Sequence, residues 1–153
     1  MEFNESEFLV ETEVPEGELI ISRTDLKGMI TYANHTFCEI SGYEDEELIG
    51  KPHNIVRHPD MPSAMFADLW ETIQSKKQWR GVIKNLRRDK GFYWVEAIVS
   101  GVYKNGELVE YKSLRTPIAY EQKLKYQRLY DTMRAENGEK IRRVIYEEKR
   151  KNE

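Results

Sequence analysis

Residues 79–117 read WRGVIKNLRRDKGFYWVEAIVSGVYKNGELVEYKSLRTP. Three runs in this stretch favour strand: Trp79–Arg88, Phe92–Tyr103 and Leu108–Pro117. Asp89-Lys90-Gly91 separates the first pair and Asn105-Gly106 the second. Asn-Gly suits a two-residue hairpin because both residues tolerate the positive φ of a type I′ turn. The stretch therefore predicts a three-stranded antiparallel meander. Side chains alternate faces along a strand, so if Ile83 faces the core, Trp79, Gly81 and Asn85 do too. Tyr93, Val95, Ala97 and Val99 form the matching face of the next strand.

Upstream, Leu19–Arg23 and Met29–Ala33 flank the turn Thr24-Asp25-Leu26-Lys27-Gly28 and predict two more strands. Asn34 is a fitting N-cap for a short helix carrying Phe37 and Ile40, closed by Gly42. Glu44–Ile49 predicts a second short helix closed by Gly50. Asp60 is the expected cap of a longer helix, with Pro62 in its first turn. On that helix Met65, Leu69 and Ile73 repeat at i+4, as do Phe66 and Trp70, giving one broad apolar face. Two strands, several short helices and three strands make an α+β fold: a five-stranded antiparallel sheet with short helices on one face.

Outside this unit the composition changes. Residues 1–17 are acidic and read as an arm or short capping helix; residues 18–118 form the domain. Residues 119–153 are charged and helix-favouring, with a break at Asn137-Gly138. Leu124, Tyr126, Leu129, Tyr130 and Met133 make an apolar stripe there, continued by Ile141, Val144 and Ile145. Such a C-terminal helical extension either pairs with a partner or folds back on its own domain.

The chain has 153 residues and a net charge of −3, with 39% hydrophobic and 33% charged residues. That balance argues against a nucleic-acid phosphate binder. Cys38 is the single cysteine, which excludes an internal disulfide and a cysteine metal cluster. The acidic N-terminus is unlike a signal peptide, and no stretch approaches the roughly 20 apolar residues that span a bilayer. A cytoplasmic location is expected, with any membrane association made through a partner. No paired catalytic carboxylates, phosphate-binding glycine loop or nucleophile elbow is present, so no enzymatic activity and no catalytic residue is expected.

Tyr32-Ala33-Asn34 leading into Phe37…Ser41-Gly42-Tyr43…Glu47-Leu48-Ile49-Gly50 resembles the start of a PAS domain, over about residues 19–118. A second block is Lys51-Pro52-His53-Asn54-Ile55-Val56-Arg57-His58-Pro59-Asp60-Met61-Pro62, followed by Phe66-Ala67-Asp68-Leu69-Trp70, Trp79-Arg80-Gly81, Lys84-Asn85 and Tyr93-Trp94-Val95. It resembles the PAS domain of bacterial aerotaxis and energy-taxis receptors. That resemblance implies noncovalent FAD, a redox or oxygen sensor, and a signal passed by contact to a membrane chemoreceptor-type transducer. A homodimer is left open.

On that reading Trp79 and Tyr93 line the flat flavin ring, Gly81 leaves space beside it, and Asn85 bonds its polar edge. Arg57 suits the pyrophosphate by its fork geometry; His58 donates to phosphate or ribose, and Asp60 orients a neighbour or caps the helix. Asn34 serves as helix cap, as ligand contact, or as both. Phe66 and Trp70 wall the cavity or simply pack helix to sheet. His53 is expected at the surface or behind the site. Read without the resemblance, Asn85 satisfies backbone in a packed core and the Arg57 loop is solvated. Two other functions remain open. One is a heme gas sensor with His53 or His58 as axial ligand, since His35 falls on the helix after the first hairpin. The other is a ligand-free PAS dimerisation module. Cys38 is not placed where the LOV photoreceptors carry their adduct-forming cysteine.

Overall fold

The structure, a computed structural model, describes residues 10–139. Strands β1 (Ile20–Thr24) and β2 (Ile30–Ala33) form an antiparallel hairpin. Asp25 Oδ1 fixes its turn by accepting from the backbone N–H of Lys27 and Met29, both at 2.9 Å. The chain then leaves the sheet through α1 (His35–Ser41), α2 (Asp45–Leu48), a 3-10 helix at His53–Val56, and α3 (Ser63–Gln74). It returns as β3 (Trp79–Leu86), β4 (Phe92–Lys104) and β5 (Glu107–Thr116). The sheet order is β2-β1-β5-β4-β3, every pair antiparallel. The hairpin turn at Asn105 and Gly106 has φ of 53° and 81°, the left-handed region that Asn-Gly supplies.

Because the chain exits at one sheet edge and re-enters at the other, the short helices must cross one sheet face. Ile83 and Asn85, with cross-strand partners Val95 and Tyr93, point to that face. Phe37, Leu48, Val56 and Ile73 come down from the helices to meet them, all buried. Each buried side chain of this kind contributes roughly 1.5–3 kcal/mol.

The opposite face is also covered. Helix α4 (Tyr120–Glu136) folds back across it. Tyr130 stacks on Trp94, with ring centroids 6.3 Å apart and planes at 22°, and its hydroxyl donates to the Val82 carbonyl. The arm at residues 10–14 completes the layer: Thr12 N donates to Phe92 O at 2.8 Å, and Glu11 pairs with Lys123 at 2.6 Å. The short helices keep to one face, as expected, and the C-terminal helix α4 covers the other. Of the two fates open to the C-terminal extension, residues 120–136 take the fold-back. Ile141, Val144 and Ile145 lie outside the described residues, as do residues 1–9 of the arm.

Asp60 does not cap α3. Pro62 occupies the N-cap position and offers no side-chain hydrogen bond. Asp60 is instead 2% exposed and pairs with Arg134 of α4 at 3.2 Å and with Lys84 of β3 at 3.7 Å. Two buried cations outcompete a helix end for one carboxylate. The start of α3 is served from elsewhere: the Glu139 carboxylate, just past α4, accepts from Ser63 N at 3.3 Å and from the Ser63 hydroxyl.

Candidate functional site: a cavity beneath the short helices

Between the sheet and the helices lies a cavity of about 260 Å³. Its floor is sheet: Ser22 and Thr24 of β1, Ile83 and Asn85 of β3, Val99 of β4, and Tyr111, Ser113 and Arg115 of β5. Its roof is the 3-10 segment from Pro52 to Arg57 and one side of α3, namely Phe66, Leu69, Trp70 and Ile73. Exposed Lys27, Pro52 and Asn54 mark where it meets solvent. Trp70 sits edge-on to Tyr111, centroids 6.1 Å apart. It also packs so near Gly28 that a Cβ there would meet the indole at 3.0 Å.

One end of the cavity is polar. Arg115 Nη2 donates to Ser22 Oγ at 2.7 Å, and Ser22 Oγ lies 2.9 Å from His53 Nε2. Arg115 Nη1 is 3.4 Å from the same nitrogen. Arg115 Nη1 can only donate, and the Ser22 hydroxyl can turn its own proton toward the ring, so the pair favours an accepting Nε2 and a neutral His53 with its proton on Nδ1. Enclosure by protein, followed by the adjacent guanidinium, holds the His53 pKa down at about 3. Part of the ring surface stays accessible because it faces the cavity. Phe37 underlies both groups, stacked on His53 at 5.8 Å and beneath the Arg115 guanidinium at 4.4 Å.

Arg57, Phe66, Trp70 and Asn85, read from the sequence as ligand-facing, are brought together on this cavity. Arg57 bridges Asn85 through the backbone, and its guanidinium lies 4.1 Å above the Phe66 ring. The other five are placed elsewhere. Asn34 caps α1: its Oδ1 accepts from Phe37 N and Ile21 N, and its Nδ2 donates to Leu19 O. His58 and Asp60 lie on the outer side of the sheet, where His58 meets the Phe92 ring edge-on at 6.1 Å. Trp79 folds over Gly81 and donates Nε1–H to Asp68 of α3 at 2.8 Å. The space left by that glycine is filled by Trp79 itself. Tyr93 is wholly buried beside Asn85 and Arg115, its hydroxyl without a hydrogen-bond partner of good geometry, and burial raises its pKa to about 12.

Ser22, His53 and Arg115, which make the polar end of the cavity, were not read as ligand-facing from the sequence. The available signal was Arg115 falling in phase with Tyr111 and Ser113, so that it shares the face of β5 on which Tyr111 is buried. Of the two histidines considered as axial ligands, His53 lines the cavity with its Nε2 hydrogen-bonded to Ser22 and near Arg115, and His58 lies on the far side of the sheet, its Nδ1 accepting from Asp60 N. No cluster of potential metal ligands occurs among the described residues. Cys38 is not on the cavity. No helix of the described residues is long and apolar enough to cross a membrane.

Residues 30–115 match a family described as PAS fold. Over 124 residues the chain is 41% identical to the aerotaxis receptor of Escherichia coli (strain K12), covering 81% of this chain and 24% of the receptor. The chain thus spans about a quarter of that relative's length. It superposes on the crystal structure of the PAS domain of a protein from Colwellia psychrerythraea with a TM-score of 0.60 and 26% identity, covering 65% of this chain and 86% of that one. A light-oxygen-voltage domain from a study of a flavin analogue gives 0.66 at 16% identity, covering 80% and 90%, a likeness of fold alone.

Proposed function

Because the chain belongs to the PAS fold family, we propose that it is a redox sensor of the energy-taxis type that holds FAD noncovalently in the cavity described above. The observation that carries this is the build of the cavity: an apolar slot between Phe66, Trp70 and the sheet, ending in Asn85, Ser22, His53 and Arg115. A flat ring with one polar edge matches both halves. Ligand sites usually run from about 300 Å³ upward, so 260 Å³ accommodates a ring system and not a whole dinucleotide. The remainder extends outward, where Arg57 and Lys27 supply positive charge. The 41% identity to an aerotaxis receptor supports the same reading.

Bound flavin supplies reversible electron exchange. The protein's part is to bind and to report. Phe66 and Trp70 exclude water from the ring faces. Asn85 offers one donor group and one acceptor to the ring edge. Arg57 holds phosphate, fixed in place by its own stack on Phe66. The report passes to a chemoreceptor-type transducer at the membrane by contact, with α4 as the element poised to move. The test is direct: the purified chain carries an oxidised-flavin spectrum, and heat releases a compound with the mass of FAD. A colourless protein that takes up no added FAD removes this function.

A further inference from the structure

Arg115 is 1% exposed, and no carboxylate among the described residues pairs with it. Its polar partners are the neutral Ser22 and His53, and its Nε has none. A cation enclosed this way, without a counter-charge, is costly unless an anion joins it. Elsewhere in the protein the rule is kept: buried Lys84 and Arg134 share Asp60. Lowered by burial to about 10, the Arg115 pKa still leaves the group charged at neutral pH. The cavity wall therefore holds a fixed positive charge that the protein itself leaves unbalanced.

We propose that Arg115, clamped by Ser22 and His53, is the subsite that reads the charge of the bound ring, so that the protein holds the reduced, anionic flavin more tightly than the oxidised, neutral one. This rests on the flavin reading. Two electrons and one proton convert the neutral oxidised ring to a monoanion whose charge lies on its pyrimidine edge. The electrons come from a two-electron donor of the quinol or nicotinamide class. In an enclosed site a guanidinium attracts that charge far more strongly than water permits. Arg115 makes no bond in this exchange. It shifts the balance between two states of one ligand, and the midpoint potential shifts positive with it.

The neighbours of Arg115 are neutral, and that neutrality leaves its charge available to a ligand. A carboxylate in place of Ser22 or His53 would cancel the guanidinium and leave the ligand's charge unread. Neutral His53 and the Ser22 hydroxyl hold the group in place without doing so. Phe37 fixes its plane from below. A merely structural arginine would support both ligand states equally.

The experiment uses the full chain, wild type and Arg115→Gln, stripped of flavin and titrated anaerobically with FAD and with dithionite-reduced FAD. Circular dichroism checks the fold. In wild type the reduced form binds more tightly. In Arg115→Gln the ratio of the two dissociation constants falls by about tenfold or more, equivalent to about 1.4 kcal/mol, and the midpoint potential moves negative. Arg115→Lys, which keeps the charge, retains most of the preference. A folded Arg115→Gln that weakens both forms equally, or alters neither, overturns the inference and leaves FAD binding intact. If Arg115→Gln does not fold, the wild-type reduced complex decides alone. Its absorbance between pH 5 and 8 should stay that of the anionic ring, and a protonated, neutral ring at pH 7 overturns the inference. A wild type that binds neither form ends the flavin reading, and this inference with it.

Discussion

His53 shows how a single side chain can be held in one protonation state by its neighbours. Arg115 presents a proton and its positive charge to Nε2, so a second proton added at that nitrogen would be repelled. The folded protein binds that proton only near pH 3, whereas the ordinary value is 6.5. Between these values the unfolded chain takes up the proton and the folded chain does not. Stability is therefore retained above about pH 6.5 and lost as the pH falls toward 3. At full effect one such group contributes about 1.4 kcal/mol per pH unit. Urea unfolding should show a drop of about 1–2 kcal/mol between pH 7 and pH 5. His53→Gln should flatten that slope. An unchanged slope in the variant would mean that His53 is not the group responsible.

Strand β3 shows both what alternation reveals and what it hides. Its alternation was legible: Trp79, Gly81, Ile83 and Asn85 share a face as period two requires. What alternation could not reveal is where a large side chain bends after leaving the strand. Trp79 turns over Gly81 because Asp68, on a helix eleven residues earlier, anchors its Nε1–H. A Cβ at position 81 would lie 2.4 Å from the indole. Gly81→Ala should therefore cost about 1–3 kcal/mol through overpacking, read as a lower urea midpoint. Gly81→Ala combined with Asp68→Ala, which frees the indole to move, should recover part of that loss. If the double variant is less stable by the sum of both single effects, the two residues are not coupled. Asp60 follows the same logic. A helix-capping role is written locally, two residues before Pro62, but its partner Arg134 lies 74 residues away. Pairings at that separation leave no periodic trace. The strands, the Asn105-Gly106 turn and the Asn34 cap are set by neighbours in sequence, and these were readable.

Across the whole molecule the cavity and α4 are joined by adjacent residues pointing opposite ways. Asn85 lines the cavity, while Lys84 beside it donates to Gln127 of α4 at 3.0 Å. Arg57 lines the cavity, and three residues on, Asp60 holds Arg134. Lys84 is buried, and burial lowers its pKa to about 8 against the raising pull of Asp60. Losing one member of such a buried set is costly to the rest. Adding FAD should slow amide hydrogen exchange in residues 123–134 of wild type. In Asp60→Asn that protection should shrink or vanish while FAD still binds. Equal protection in both proteins would mean that the ligand's effect on α4 takes another route.

Helix α3, whose Phe66 and Trp70 wall the cavity, has no side-chain cap of its own and takes one from Glu139, at the threshold of the tail. Tension on the tail would draw that carboxylate away and fray the turn that carries Ser63. Coupling between two binding events is reciprocal. Under the proposed function, a transducer that grips the tail would then do more than listen: by holding or releasing one glutamate it would retune how firmly FAD is kept.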